Sequence, residues 1–331
     1  MVIEMLKLAV IYGGMSTEHD VSMVSGKNVI DNLDRKKYEI YPVEITKEGI
    51  WKREGKEIKD ISTFLKGMDK VFPVLHGLYG EDGTIQGLLE MLKIPYVGCK
   101  VLASSVCMDK VYSKIIFEKA GICQAKYIYI KNENTYVDEN MDEVKLENDE
   151  IAKLVKEKLG FPVFVKPSNS GSSVGISKAT NESELITAII EASRFDRKIL
   201  IEEAIVGKEV ECAVLGTDKV EASTVGQILS AEEFYSYDAK YKNAESKVII
   251  PADLSQEKID EIRRTAIKAF KAVDGSGLSR VDFFVEKDTD KVYINEINTM
   301  PGFTEISMYP KLWEHSGIKY SELLDKLIEL A

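Results

Sequence analysis

The side chains best suited to holding a cation are Asp282, Glu296 and Asn298. They fall in two β-rich runs, Gly277 to Glu286 and Val292 to Asn298, that flank Lys287-Asp288-Thr289-Asp290 and read as a hairpin. Side chains alternate faces along a strand, so Glu296 and Asn298 point the same way. Pairing Val285 with Tyr293 then places Asp282 directly opposite Glu296. Opposed carboxylates repel. On a half-buried face shared with Phe284 and Ile294, they need a cation or a shared proton. Two carboxylates and an amide oxygen suit Mg²⁺, a hard ion that also takes substrate phosphates as ligands. Arg280, two residues before Asp282, can hold an anion beside it. A solvated acidic hairpin is the other reading, because a one-residue slip would part the carboxylates.

A second group of candidates can hold phosphate. Phe161-Pro-Val-Phe-Val-Lys166 is a β run ending in a lysine, and it opens into Pro-Ser-Asn-Ser-Gly171-Ser172-Ser173-Val-Gly175. Such loops turn backbone N–H groups inward as an anion cradle, with Lys166 adding a point charge. It is not a Walker A loop, since Gly-x-x-x-x-Gly-Lys-Ser/Thr occurs nowhere. Glu202, Glu203 and Glu209 lie in apolar strand runs, where acids can accept from an adenine amino group or ribose hydroxyls or merely line an edge. Glu18 and His76 follow glycine-turn strands. Alone, one reads as helix-start charge and the other as a structural histidine.

Leu8 to Tyr12 is a buried strand ending in Gly13-Gly14, followed by a helix from Val21 to Leu33 with caps available at Ser16 or Thr17. That order suggests an α/β unit with ligand near the strand's carboxyl end, without a dinucleotide fingerprint. Lys70 to His76 reads as a second strand, Ile85 to Leu92 as a helix, and Val101 to Ala120 as one helix enclosing Met108-Asp109-Lys110. Asn132 to Glu150 reads as an acidic surface loop running into a helix. Ala231 to Leu254 has no clean period and reads as a long functional loop, a lid over about 231–250.

The chain has 331 residues, 44% hydrophobic and 30% charged, which suggests a soluble globular protein of two or three domains. A net charge of −11 argues against a general nucleic-acid or anionic-membrane binder. Cys99, Cys107, Cys123 and Cys212 show no disulfide or zinc spacing and read as reduced thiols of a cytoplasmic protein. The apolar start is too short to span a membrane.

Taken in order, Gly13-Gly-Met-Ser-Thr-Glu18, His76-Gly, Met108-Asp-Lys110, Val165-Lys166-Pro with Gly171-Ser172-Ser173-Val-Gly, Tyr237-Asp-Ala-Lys240-Tyr241, Arg280-Val-Asp282, and Asn295-Glu296-Ile-Asn298-Thr-Met-Pro-Gly302-Phe-Thr with Ser307 resemble the D-alanine–D-alanine ligase family of the ATP-grasp superfamily. The resemblance covers essentially the whole chain. It implies an α/β fold of three domains: an N-terminal parallel-sheet domain (1–98) that binds substrate, then two α+β domains (99–202 and 203–331) that grip ATP. It implies two Mg²⁺ (or Mn²⁺) on Asp282, Glu296 and Asn298. Lys110, Lys166, Ser173 and Lys240 would serve the phosphates, and Glu202, Glu203, Ala204, Ile205 and Glu209 the nucleoside. Glu18, helped by His76, would take the ammonium of the first D-alanine, and Ser172 would link Glu18 to Tyr241. Arg280 and the Gly302 N–H would stabilise an oxyanion, and Ser307 would hold the second carboxylate. A cytoplasmic homodimer serving peptidoglycan synthesis is implied as well. One departure is Ser168-Asn169-Ser170, where family members often carry a basic and an acidic residue. The competing readings are a ligase of the same fold making D-alanyl-D-lactate or D-alanyl-D-serine, and a nucleotide-binding sensor without catalysis.

Overall fold

The computed structural model describes residues 5–172, 174–229 and 247–331. Residues 231–246 of the proposed lid, with Lys240 and Tyr241, and also Ser173, lie outside the described residues, while Lys247–Ile249, read as part of that loop, form a strand paired with residues 227–229.

Three sheets follow one another along the chain. The first comprises β1 (Leu6–Gly13), β2 (Tyr38–Ile45), β3 (Trp51–Arg53), β4 (Lys56–Glu57) and β5 (Lys70–Val74), in the order β4-β3-β2-β1-β5. Its centre is parallel, β2 and β5 both running with β1. The apolar run Leu8–Ile11 is fully buried there, as a central parallel strand covered on both faces must be. Helices α1 (His19–Asn32) and α2 (Ile61–Lys66) connect these strands, and α3 (Thr84–Leu92) follows β5. Neither Ser16 nor Thr17 caps α1. Glu18 takes that position, and the Ser16 hydroxyl donates instead to the His76 carbonyl at 2.6 Å.

The second sheet is antiparallel: β6 (Tyr127–Lys131), β7 (Thr135–Val137), β8 (Glu143–Lys145), β9 (Val163–Pro167), β10 (Ser177–Ala179) and β11 (Lys198–Glu203), ordered β10-β9-β11-β6-β7-β8. Two helices precede it, α4 (Val101–Met108) and α5 (Lys110–Lys119), and two pack beneath it, α6 (Asn148–Lys158) and α7 (Glu182–Ala192). The single helix expected over 101–120 is thus two. Asp109 adopts an extended conformation and caps α5, accepting the N–H groups of Val111 and Tyr112. Its carboxylate also pairs with Lys198 and accepts the Ser168 hydroxyl at 2.5 Å, partners that outweigh helical continuity. Residues 132–150 are not only loop either, since β7 and β8 extend the sheet edge there. Short, charged edge strands have little of the apolar alternation by which strands are read.

The third sheet is antiparallel too: β12 (Gly207–Leu215), β13 (Glu221–Leu229), β14 (Lys247–Ile249), β15 (Leu278–Glu286) and β16 (Val292–Asn298), in the order β14-β13-β12-β15-β16. Helix α8 (Gln256–Ala272) lies under it, packing Ile262, Ala266 and Phe270 against Val210, Cys212 and Phe283. The chain ends in α9 (Met308–His315) and α10 (Tyr320–Glu329). These return to the first sheet, so that Tyr309, Trp313, Leu323 and Leu324 share a core with Leu8, Val10 and Val29. Each such side chain, fully buried, contributes roughly 1.5–3 kcal/mol, and together they tie the last elements to the first.

In the hairpin β15–β16, Val285 pairs with Val292 and Phe283 with Ile294, one residue off the register expected from the turn. A bulge then restores it, and Asp282 stands opposite Glu296 as the sequence predicts. The extra residue is Asn295. Because of it Ile294 and Ile297 both enter the core under the sheet, so Ile294 does not share the carboxylates' face.

Candidate active site

A cleft of about 920 Å³ opens between the sheets and is lined from all three. Its floor is a row of carboxylates across adjacent strands, Glu211 opposite Asp282 and Asp282 opposite Glu296. On the sheet's other face, Val210, Cys212, Val281, Phe283 and Ile297 fill the core, so alternation forces the acids upward. Such a row repels itself unless cations intervene. Arg280 grips both oxygens of Asp282 at 2.7 Å and lies 3.0 Å from Glu211, while Lys110 lies 3.8 Å from Glu296. The Asn298 amide donates to Asp282 at 3.0 Å. Asp282 is 3% exposed and sits behind Arg280 and Asn298, whereas Glu296 and Asn298 face the cleft. Two carboxylates and an amide, already drawing on neighbouring cations, fit a hard divalent ion. Among the described residues no three His, Cys, Asp or Glu side chains form a metal-binding group.

Above this floor stand the lysines. Lys166 on β9 is 2.6 Å from one oxygen of Glu202 on β11, and Lys114 on α5 is 2.6 Å from the other. Burial alone would raise the Glu202 pKa, but Lys114 and Lys166 outweigh it and hold the carboxyl down at about 2. Burial likewise opposes the Lys166 charge, yet Glu202 wins and raises its pKa. Lys110 donates to the Ser170 carbonyl at 2.5 Å, which ties α5 to the glycine-serine loop. In that loop Ser168 and Asn169, where the resemblance departs, bond to Asp109 and to Asp196. Glu203, Ala204, Ile205 and Glu209 line the same end of the cleft.

The opposite end is built on Glu18, which is 7% exposed and accepts the Ser172 hydroxyl. Gly77, with φ +70°, lies so close that a Cβ there would be 2.5 Å from a Glu18 oxygen. His76 is engaged on both ring nitrogens, with Nδ1 3.0 Å from the Met300 carbonyl and Nε2 3.0 Å from the Ser25 hydroxyl. A carbonyl only accepts, so the proton sits on Nδ1. Burial lowers the His76 pKa further than Glu18 raises it, and the ring is neutral. Ser25 also accepts the Phe303 N–H at 3.2 Å, so His76 braces residues 300–303. Gly302 and Ser307 line the cleft beside them, and Ser307 accepts the Thr304 N–H at 3.0 Å.

Every sequence-predicted site residue among the described ones meets at this cleft, Asp282 from just behind it. Three further residues belong with them. Glu211 is an acid within an apolar strand run. Lys114 follows Lys110 by four residues and so shares its helix face. Glu81 is the first acid in the loop after His76. Its carboxylate accepts the N–H of Gly77 at 2.7 Å and of Met300 at 3.1 Å. Burial and then the charge of Glu18 push its pKa up to about 8. The four cysteines are free, and burial raises the cleft-lining Cys107 thiol far above its ordinary range, which denies it a nucleophile's role.

A family model described as D-ala D-ala ligase N-terminus matches residues 7–63 and 52–99, and one described as D-ala D-ala ligase C-terminus matches residues 116–329. Relatives named D-alanine–D-alanine ligase include one from Acetivibrio thermocellus, 52% identical over 98% of this chain and 95% of its own length. Another, from Clostridium novyi, is 49% identical over 98% and 97%. Among solved structures, the VanG D-Ala:D-Ser ligase from Enterococcus faecalis superposes with a TM-score of 0.86 at 36% identity, covering 99% of each chain. The D-alanine-D-alanine ligase from Coxiella burnetii gives 0.84 at 35% identity, covering 99% of this chain and 94% of its own. Three sheets lining one charged cleft, in a chain that superposes on these ligases over 99% of its length, are the ATP-grasp architecture. The chain belongs to the D-alanine–D-alanine ligase family.

Proposed function

We propose that this chain uses ATP to join two D-alanines into D-alanyl-D-alanine, a peptidoglycan precursor. The observation that carries the reading is that one cleft unites Glu18, a buried anion fit for an ammonium, with Lys110, Lys166 and the Arg280-Asp282-Glu296-Asn298 group.

A carboxylate is a poor acyl donor, so its oxygen first takes the γ-phosphoryl group of ATP. Glu18, oriented by Ser172, holds the first D-alanine by its ammonium and points its carboxylate toward the lysines. Lys166 and Lys110 offset phosphate charge at the second-sheet side of the cleft, where Glu202 to Ile205 and Glu209 receive the nucleoside. Asp282, Glu296 and Asn298 would hold two Mg²⁺ (or Mn²⁺), which supply charge neutralisation at the transferring phosphoryl group. The amine of the second D-alanine, its carboxylate held by Ser307, then attacks the acyl-phosphate. Arg280 and the Gly302 N–H stabilise the oxyanion that forms as phosphate leaves. Lys240, Tyr241 and Ser173 complete the site in this reading. We assign residues 1–98, 99–202 and 203–331 to three domains around it.

No helix among the described residues is long and apolar enough to cross a membrane. Reaction with ATP and four free cysteines fit the cytoplasm. The family resemblance supports assembly as a homodimer in this reading.

The test is to supply ATP, Mg²⁺ and equal D-alanine, D-serine and D-lactate, and to weigh the products. The expected main product is D-alanyl-D-alanine. A depsipeptide or D-alanyl-D-serine in excess would overturn the second-substrate assignment, and absence of phosphate release would overturn catalysis.

A further inference from the structure

Lys114 does not line the cleft, yet a residue that does depends on it. Its side chain is 2% exposed, and its ammonium meets Glu202 at 2.6 Å. Its other polar neighbours are weak: the Ala125 carbonyl at 3.5 Å and the Tyr127 ring at 5.3 Å. The second Glu202 oxygen faces Lys166, also at 2.6 Å, and Glu202 and Lys166 do line the cleft. Deepening the nucleotide reading above, and resting on it, we infer that Lys114 is a positioning residue that sets the charge of the phosphate subsite by neutralising Glu202 from behind.

Two ammonium groups on one carboxylate leave these three groups, taken by themselves, with one positive charge in excess, set against the further acids Glu203, Glu209 and Glu296. Without Lys114, Glu202 and Lys166 form a closed neutral pair. An incoming phosphate then has to win Lys166 from Glu202 and meets an uncompensated carboxylate beside it. With Lys114 in place Glu202 is satisfied whether or not Lys166 turns toward a phosphate. Stability gives no equal reason for the lysine, because a buried ion pair is commonly no better than an apolar replacement. The geometry also explains why Lys110 and Lys114 share one face of α5. The first lies along the cleft, while the second reaches the acid at its back.

A change in how Glu202 meets the nucleoside is common to ADP and adenosine, whereas the change in charge at Lys166 is felt by the phosphates alone, so the ratio of the two affinities isolates it from simple loss of structure. Binding of both to the full chain is measured by calorimetry for wild type, Lys114→Met, Lys114→Arg, and Lys114→Met combined with Glu202→Gln. In Lys114→Met the ratio of ADP to adenosine affinity falls about tenfold, as loss of one nearby charge predicts. Lys114→Arg keeps the ratio. The double variant removes Lys114 and the Glu202 charge together, and it brings the ratio back toward the wild-type value because Lys166 no longer faces an uncompensated carboxylate. Equal loss of ADP and adenosine, or an unchanged ratio in Lys114→Met, overturns the inference. So does a ratio that stays low in the double variant. Failure of the wild type to bind ADP overturns the nucleotide reading itself, and this inference with it.

Discussion

Asp282 and Glu296 stand directly opposite each other although the turn joining their strands runs one residue out of step. The bulge at Asn295 absorbs the difference and sends Ile294 and Ile297 together into the core. Arg280 supplies the charge that makes the pairing tolerable, with both oxygens of Asp282 bound at 2.7 Å. The strand ladder therefore holds the two acids opposite each other, with Arg280 as the cation bound to Asp282.

Glu296→Gln keeps the side chain's shape and removes one anion. Repulsion across the hairpin falls, so the thermal midpoint stays the same or rises. Activity at limiting Mg²⁺ falls by about a hundredfold or more, since even groups that only support a metal ligand are worth 10–100-fold. Near-normal turnover at low Mg²⁺ would show that Glu296 holds no ion.

Gly302→Ala tests the loop after β16. A Cβ there would lie 2.6 Å from the Ser307 hydroxyl oxygen, which must then leave its bonds to Thr304 at 3.0 and 2.8 Å. Losing that order should raise KM for the second D-alanine roughly tenfold or more, in line with 1–3 kcal/mol per stranded hydrogen-bonding group. Steady-state kinetics with each amino-acid subsite varied in turn checks this. A change in the ATP requirement alone contradicts it.

Glu81 gives the protein a pH dependence of definite sign. Its folded pKa of about 8 lies above the ordinary carboxylate value, so the folded state binds the extra proton. Its contribution is full below about pH 4.5 and is lost as pH rises through 8, on the order of a few kcal/mol. His76, lowered by burial, acts in the other direction and loses stability as pH falls below about 6.5. Unfolding by urea at stepped pH from 5 to 9 should show Glu81→Gln with a flatter alkaline limb than wild type. The slope carries the result whatever the offset, and identical slopes would remove Glu81 from the account.

Asp109→Ala removes the cap of α5 and strands Lys198, which is 5% exposed. Breaking a buried pair from one side costs about 3–5 kcal/mol. Lys110 is the next residue, so the ATP requirement should rise with the loss of stability. Combining Asp109→Ala with Lys198→Met should recover much of the stability, and a double variant no more stable than Asp109→Ala would argue against the pairing as the cause.

The sequence alone determined what depends on local pattern. The run Leu8 to Ile11 could only be buried, and the alternation through Arg280, Asp282 and Phe284 put the first two on one face wherever the strand lay. The ordered motifs from Glu18 to Ser307 carried the family, because residue types at fixed spacing survive without coordinates. Tertiary structure decided what rests on comparing distant partners. Whether α4 and α5 are one helix or two turned on Asp109 meeting Lys198, 89 residues away. The register at Glu296 turned on a bulge that satisfies two isoleucines in a core built by another helix. The reason that Glu81, Lys114 and Glu211 belong to the site is the same. Each is an unremarkable charge along the chain, and only folding removes the water and brings up a distant partner: Met300, Glu202 and Arg280 respectively.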